Sequence, residues 1–331
     1  MLVSIILPSY NVMPFLELCV KSIMGSGLSS DIFEVIIIDD GSTDGTGKIG
    51  KQLSLLYPNI IYHHQPNKGV SAARNIGLSL AVNKYVWFID PDDLVKSELI
   101  LDMVYLLVEN NLDALGMNYF GIAEDGTLLQ KDKGRLDMNG KQVVSGADFY
   151  NLNYKRSYIW QYIFRKNIFT SNNIGFREGM VMEDSEILPK LMANIHRIGV
   201  FEKPAYAYRR RANSLLRTKG LESQINFMNS AILLAESINE QKTQYSAYKG
   251  IATGLAKKAK QVNQILFLKF IGENWSKYQK LEFINDMKSR GVFPFSKITN
   301  LSPLMNYKLN VWRHMVNIKP VMFSSFYRKL N

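Results

Sequence analysis

The sequence has one cysteine, Cys19, and no apolar run long enough to be a membrane span. One cysteine excludes an intramolecular disulfide bond and fits a reducing compartment. Its apolar surroundings, residues 15–23, predict a core thiol rather than a nucleophile. The start, MLVSIILPSY, lacks the basic segment and cleavage site of a signal peptide. We therefore expect neither a signal peptide nor a transmembrane span, and a protein in the cytosol or on a membrane face.

Acidic side chains are scarce only near the carboxyl terminus. Residues 231–331 contain 16 basic and 5 acidic side chains, whereas residues 1–230 contain 24 of each. The whole net charge of +11 therefore lies in the tail. A chain of 331 residues is longer than one core usually occupies, so we predict a large domain and a smaller appendage, with the boundary at 220–230.

Several familiar catalytic patterns are also missing. The four histidines form no metal-binding or catalytic set, because His63 and His64 are adjacent on a predicted strand and the other two are isolated. The sequence has no GxSxG, Walker or GxGxxG motif, which are the usual marks of a hydrolase, a triphosphate site or a dinucleotide site.

Short β-branched runs alternate with helical segments through the first ninety residues. The runs at 3–7 and 34–38 are apolar on both faces, as buried parallel strands are, and the segments at 46–56 and 71–82 have helical spacing. This pattern predicts an open, mostly parallel, doubly wound α/β sheet. Ligands bind such sheets beyond the carboxyl ends of the strands, where the strand order reverses.

Three polar clusters follow predicted strands, at residues 8–11, 39–42 and 90–93. We expect them to converge on one crevice. The adjacent Asp39 and Asp40 allow two interpretations: a turn that caps the next helix, or an aspartate that binds a nucleobase edge or a ribose hydroxyl. In NKGVSAARNIG, Lys68 and Arg74 could lie on a solvated helix face or near a phosphate at the helix start.

The segment DPDD gathers Asp90, Asp92 and Asp93 around Pro91. A hard divalent cation that bridges a diphosphate needs only one or two protein carboxylates, and an Asp-x-Asp at a strand end supplies them. The alternative is a turn with solvated aspartates.

Two further charged groups lie downstream. Glu183 and Asp184 begin a predicted helix, where a carboxylate could be a general base or could simply complement the helix dipole. The run Arg209–Arg211 could bind a diphosphate or form a basic surface loop.

Taken together, the motifs resemble a known family. VSIILPSYNVMPFLELCVKSI, VIIIDDGSTDGT, NKGVSAARNIGLSLAVNKYVWFIDPDD and MEDSEILPKL occur in the order and spacing of the inverting family 2 glycosyltransferases, which have the GT-A fold. The resemblance covers about residues 1–215 and is strongest to the bacterial branch that builds O-antigen, lipopolysaccharide and capsule polysaccharide. It implies a catalytic domain at 1–220, with a nucleotide-binding half at 1–115 and an acceptor-side half at 116–220.

The resemblance also implies roles for single residues. In the donor half, the base pocket would be lined by Pro8, Tyr10 and Asn11, the base would be bound by Asp40, and the nucleotide would be held by Lys68, Arg74 and Asp90. Asp92, with Asp90, would bind Mn²⁺ or Mg²⁺, and Asp184 would be the catalytic base. Further candidates, for binding the acceptor or the diphosphate, are Asp93, Trp160, Glu183, Arg209 and Arg211.

The expected function is metal-dependent, inverting sugar transfer from a nucleotide sugar, in many relatives UDP-linked, to a sugar hydroxyl on a polyprenyl-diphosphate lipid. We expect residues 221–331 to be helical and to associate with an anionic membrane surface, because they mix basic and aromatic residues; a solvated appendage is the alternative. The protein would then be peripheral, on the cytoplasmic face of the inner membrane. A sugar nucleotidylyltransferase would need a glycine-rich amino-terminal loop, and a nucleic-acid-binding protein would need a binding motif; neither occurs in the sequence.

Overall fold

The computed structural model describes residues 2–25, 32–211, 220–299 and 302–322, and only the backbone of residues 130–133. The chain divides into two compact units, the first made of residues 1–179 and 183–218 and the second of residues 180–182 and 219–331. Parts of the predicted basic region, residues 300–301 and 323–331, lie outside the described residues.

The first unit is built on one sheet. Its strands are β1 (Val3–Ser9), β2 (Phe33–Asp40), β3 (Ile60–Gln65), β4 (Tyr85–Phe88), β5 (Leu94–Val95), β6 (Ala114–Ile122), β7 (Leu128–Lys133), β8 (Val143–Val144), β9 (Tyr162–Arg165) and β10 (Ile198–Arg209). The order across the sheet is β3-β2-β1-β4-β9-β6-β10-β5, with β7 paired to β6 and β8 to β10.

Strands β1 to β4 are parallel, and β1 lies between β2 and β4. The chain therefore changes direction across the sheet at β1, which is the switch point where a crevice opens beyond the strand ends. Beyond β4 the sheet is mixed, since β9 runs antiparallel to both β4 and β6 while β10 is parallel to β6. The predicted α/β sheet is confirmed. Parallel pairing is limited to strands β1–β4 and to the pair β6 and β10.

The described residues of this unit also form α-helices. They are α1 (Met13–Met24), α2 (Thr46–Leu56), α3 (Val70–Leu80), α4 (Ile100–Glu109), α5 (Gly146–Asn153), α6 (Asn167–Ser171) and α7 (Glu183–Ala193).

The central strands are buried on both faces because helices cover both. Every residue of β1 and β2 is buried, as their unbroken apolar sequences predict. Helix α3 lies so close to β1 that a Cβ atom at Gly77 would be 2.3 Å from a methyl group of Ile6. Cys19 is buried in α1, and burial raises the pKa of its thiol well above the ordinary value, so it is a core residue as predicted.

The second unit is helical. Its helices are α8 (Leu221–Gln244), α9 (Lys249–Gly272), α10 (Lys277–Ser289) and α11 (Pro303–Ile318). Within the described part of the chain, no helix is both long enough and apolar enough to span a bilayer.

Candidate active site

The three predicted polar clusters lie at the carboxyl ends of adjacent strands. Strand β1 ends at Ser9, its neighbour β2 ends at Asp40, and β4, on the other side of β1, ends just before the segment DPDD. Since parallel strands end at one edge of the sheet, the clusters meet there.

Asp40 is fixed by three hydrogen bonds. One carboxylate oxygen accepts from Gln65 Nε2 at 2.7 Å and from Lys68 N at 2.8 Å, and the other accepts from Gly69 N at 2.8 Å. These bonds tie the end of β2 to the end of β3 and the start of α3. A carboxylate offers about four acceptor positions, so Asp40 retains capacity for a ligand.

Asp39 holds the turn that follows β2. It accepts hydrogen bonds from Ser42 N at 3.0 Å and Tyr62 Oη at 2.8 Å, and it lies 3.1 Å from His64 Nδ1. Burial acts to raise its pKa, but the hydrogen bonds from Ser42, Tyr62 and His64 outweigh burial and lower it. Gly41 has a φ of +74°, and a Cβ there would lie 2.7 Å from Asn67 N, so only glycine fits this turn.

The end of β1 is joined to the same turn. Asn11, at a φ of +50°, donates from its backbone N to Ser42 Oγ at 3.1 Å and accepts from Thr43 N at 2.8 Å. Pro8 is buried within β1, whereas the Tyr10 ring is 48% exposed at the rim. Lys68 is also exposed. The Tyr10 ring, the Asn11 amide and the Asp40 carboxylate therefore lie at the same edge of the sheet.

Arg74 connects the two halves of the site. Its guanidinium binds Glu183 Oε1 at 2.6 Å and Asp184 Oδ1 at 3.0 Å through Nη1, and Asp90 Oδ1 at 3.2 Å through Nη2. The side chain is only 4% exposed and also lies over the Phe176 ring, 5.3 Å from its centroid. One buried cation therefore brings the carboxylate that follows β4 to the two that begin α7, more than ninety residues later.

Asp184 has a strongly perturbed pKa. Burial raises it to about 7, and the charges of Glu183 and Asp90 add to the rise, while Arg74 and the hydrogen bond from Ile159 N oppose it. That bond, 3.0 Å to Oδ2, holds the carboxylate oxygen that does not accept from Arg74. A carboxylate that titrates near neutral pH, in a fixed orientation, has the properties of a general base.

The other two aspartates of DPDD have different partners. Asp92 Oδ2 pairs with Arg211 Nε at 2.5 Å. Burial raises the pKa of Asp92 and the neighbouring Asp90 charge raises it further, while Arg211 opposes. Asp93 is buried and accepts from Tyr206 Oη and from Arg209 N, both at 2.6 Å. Asp93 therefore ties the loop to β10.

The structure places Arg209 within the protein rather than on a basic surface. Its guanidinium donates to the backbone carbonyls of Asp92 and Glu124, at 2.7 and 2.6 Å, and stacks over Phe15. Arg211 lies over the same ring, 5.5 Å from its centroid. Both arginines thus brace the DPDD loop against α1 and β10.

Trp160 is the centre of an aromatic stack. It is buried, and its ring is parallel to Tyr206 at 4.2 Å, to Tyr158 at 5.0 Å and to Tyr208 at 5.7 Å. Tyr158 is the outer member, 38% exposed, and directly precedes the residue whose amide holds Asp184. Tyr158 and Tyr206 were not among the site residues predicted from the sequence, although aromatic residues alternate at 158–162 and 206–208 and could have pointed to them.

A divalent cation carrying a diphosphate fits the donor set. The residues described contain no group of three or more His, Cys, Asp or Glu side chains arranged for a metal ion. Such a cation needs only one or two carboxylates, because the diphosphate and water complete its shell. The site joins five carboxylates to three arginines: Asp90, Asp92, Asp93, Glu183 and Asp184 with Arg74, Arg209 and Arg211.

Comparison with known proteins identifies the chain. The family model described as Glycosyl transferase family 2 matches residues 4–180, more than half of the sequence. The chain belongs to this family. A 30% identical relative, the uncharacterized glycosyltransferase YibD of Escherichia coli (strain K12), aligns over 71% of the chain and 70% of its own length.

Two other similarities agree. The uncharacterized glycosyltransferase EpsJ of Bacillus subtilis (strain 168) is 30% identical over 65% of the chain, and the match spans 62% of EpsJ. The crystal structure of S. aureus TarS 1-349 in complex with UDP-GlcNAc superimposes with a TM-score of 0.70 at 21% identity, over 99% of this chain and 92% of that one. The protein is therefore a glycosyltransferase with the GT-A fold and a helical carboxyl-terminal region.

Proposed function

We propose that this glycosyltransferase moves a sugar from a nucleotide-sugar donor, UDP-linked, to a hydroxyl group of a sugar acceptor, with inversion at the anomeric carbon. The observation that carries the proposal is the position of Arg74, which brings Asp90 of the DPDD segment next to Asp184. Asp90, which would act on the donor side, and Asp184, which would act on the acceptor side, share one arginine and so lie close together, which supports a single displacement.

The donor would lie along the ends of β1, β2 and β4. Tyr10 and Asn11 would border the base and Asp40 would accept a hydrogen bond from it, as a uracil N–H could donate. Lys68 would lie near the donor phosphates, beside the start of α3, where a helix amino terminus favours anions. The TarS structure solved with UDP-GlcNAc supports a UDP-linked donor.

Asp92, with Asp90, would hold Mn²⁺ or Mg²⁺. Asp92 forms an ion pair with Arg211 and Asp90 forms one with Arg74. A metal ion would compete with these arginines for the carboxylate oxygens. When bound, such a metal stabilises the negative charge that develops on a departing nucleoside diphosphate. Arg74 and Arg211 remain nearby to stabilise the same charge.

Asp184 would take the proton of the acceptor hydroxyl as that oxygen attacks the anomeric carbon. The C–O bond to the diphosphate breaks as the new C–O bond forms, and the proton remains on Asp184 until it passes to solvent. Its pKa near 7 lets the carboxylate be ionised at neutral pH and still be basic enough to accept a proton. Tyr158, exposed beside it, would stack on the acceptor ring.

The acceptor would be a saccharide on a polyprenyl diphosphate, in assembly of a surface polysaccharide such as O-antigen, lipopolysaccharide or capsule. The enzyme would then work as a peripheral protein on the cytoplasmic face of the inner membrane. The surplus of basic residues in 231–331 supports this location, because the leaflet is anionic.

The experiment is a nucleotide-release assay with UDP-, GDP- and dTDP-sugars, a polyprenyl-linked acceptor, and added Mn²⁺, Mg²⁺ or EDTA. We expect Asp92→Asn and Asp184→Asn each to lower turnover at least about a hundredfold, the lower range for a catalytic group. Asp184→Asn should still bind the nucleotide. Asp102→Asn, an exposed aspartate on α4, is the matched control and should be unaffected.

Different results contradict different parts of the proposal. Full turnover by Asp184→Asn would exclude it as the base, and turnover undiminished by EDTA would exclude the metal. Release from GDP-sugars alone would overturn the UDP assignment. Retention of the donor's anomeric configuration in the product would contradict a single displacement.

A further inference from the structure

Helix α11 turns two asparagines and an arginine towards the segment that precedes it. Asn310 exchanges two hydrogen bonds with the backbone of Ile298, at 3.0 and 2.8 Å. Asn317 does the same with Phe295, at 2.9 Å each, and Arg313 donates to the Phe295 carbonyl at 3.0 Å. Polar side chains therefore secure this helix to the segment 292–299 that precedes it.

The face of α11 opposite the buried Leu309 and Val316 is apolar and exposed. Leu304, Tyr307, Val311 and Ile318 are 64%, 71%, 44% and 63% exposed, and their spacing of three, four and seven residues puts them in one row. Only Leu309 and Val316 of the helix are buried. A surface helix normally turns its apolar residues to the core, whereas α11 also carries this second apolar row on its exposed side.

The surrounding charge is of one sign. After Asp286 the sequence has no carboxylate side chain, whereas residues 287–331 contain eight lysines and arginines. Two of these, Lys308 and Lys319, are exposed on α11 and at its end, beside the apolar row. Exposed apolar residues flanked by flexible cations are the composition of a helix that lies in a bilayer interface.

We propose that this face of α11 is a docking surface for an anionic lipid bilayer. The apolar row would enter the acyl boundary, and Lys308 and Lys319 would reach the headgroup phosphates. A second copy of the chain is a poorer occupant, because two identical faces would bring the same cations together with no carboxylate between them. This docking rests on the proposed function in one respect: it would give the enzyme access to a lipid-linked acceptor.

The test is co-sedimentation of the full chain with vesicles, in the absence of donor and acceptor. We expect binding to vesicles of equal parts phosphatidylglycerol and phosphatidylcholine, little binding to phosphatidylcholine alone, and release by salt. Lys308→Gln/Lys319→Gln should weaken binding by about fivefold for each charge. Leu304→Gln/Val311→Gln should weaken binding at least as much.

The first unit supplies matched controls. Leu55→Gln/Leu56→Gln removes two apolar side chains that are also exposed, and Lys48→Gln/Lys203→Gln removes two exposed charges. Both should bind vesicles as the unaltered chain does. The α11 variants should keep their nucleotide release with a water-soluble acceptor, so a failure of docking and a failure of the proposed transferase activity are seen in separate assays.

Three results would overturn the proposal. These are equal binding to neutral and anionic vesicles, binding unchanged in both α11 variants, and a self-association in solution that Leu304→Gln/Val311→Gln abolishes. The last would assign the face to a second copy of the chain.

Discussion

The pKa of Asp184 makes a prediction about stability as well as catalysis. In an unfolded chain an aspartate ionises near pH 3.9, whereas burial and the charges of Glu183 and Asp90 raise the pKa of folded Asp184 to about 7. Between these pH values the folded protein binds the extra proton. The stability that this group confers is therefore greatest in acid and falls as pH rises to about 7.

The size of the effect follows from the shift. A difference between about 4 and about 7 corresponds to about 4 kcal/mol of unfolding free energy, lost between acid and neutral pH. Asp184→Asn keeps the shape of the side chain but cannot ionise, so it should escape this loss. Relative to the unaltered chain, its unfolding free energy should rise by about 3 kcal/mol from pH 5 to pH 8, because the rest of the loss occurs below pH 5, although the variant loses its charged contact with Arg74.

The assay is urea unfolding at closely spaced pH values in EDTA, which keeps divalent cations out of the comparison. Asp102→Asn, exposed on α4, is the control and should run parallel to the unaltered chain. Asp184→Asn should therefore gain stability at pH 8 and also lose turnover. The reason is that the ionised carboxylate needed for catalysis destabilises the folded protein at this pH. A stability difference that is the same at pH 5 and pH 8 would refute this reasoning.

Two further predictions concern neighbours of Asp184. Arg74→Met should cost about 3–5 kcal/mol of unfolding free energy at neutral pH, because it leaves three carboxylates without their shared cation. The loss should shrink in acid as these carboxylates become protonated. Urea unfolding at several pH values measures this, and a loss that does not change with pH would contradict it. Tyr158→Ala should raise the acceptor KM roughly two- to tenfold, as expected for a lost aromatic contact, and leave the donor KM unchanged. A raised donor KM in steady-state kinetics would place Tyr158 elsewhere in the site.

The fold of the first unit was predictable because its signals are local. Unbroken β-branched runs give buried strands, helical spacing gives the segments between them, and parallel strands ending at one edge bring the polar clusters together. The position of β9 was not predictable in this way. Its place between β4 and β6 depends on long-range pairing, and this strand makes the sheet mixed.

The site was predictable in composition but not in its internal contacts. Asp93 was the least determined of the three DPDD aspartates, because its partners Tyr206 and Arg209 lie 113 and 116 residues further along the chain. No local pattern connects residues so far apart. Arg74 shows the same limit: near a helix start it suggests a phosphate ligand, while two of its three carboxylate contacts come from a segment about 110 residues away.

The same distinction applies to the tail. Composition predicts an amphipathic helix, yet it cannot determine which face is turned inward, since that depends on whether Asn310 and Asn317 find backbone partners in the preceding segment. Because they do, the apolar row lies outside among the residues that the structure describes. Many basic tails have an excess of cations and few carboxylates, and this alone predicts only general electrostatic attraction to anions. The exposed apolar row beside the cations favours a lipid surface in particular, because a bilayer can accept both apolar and cationic side chains.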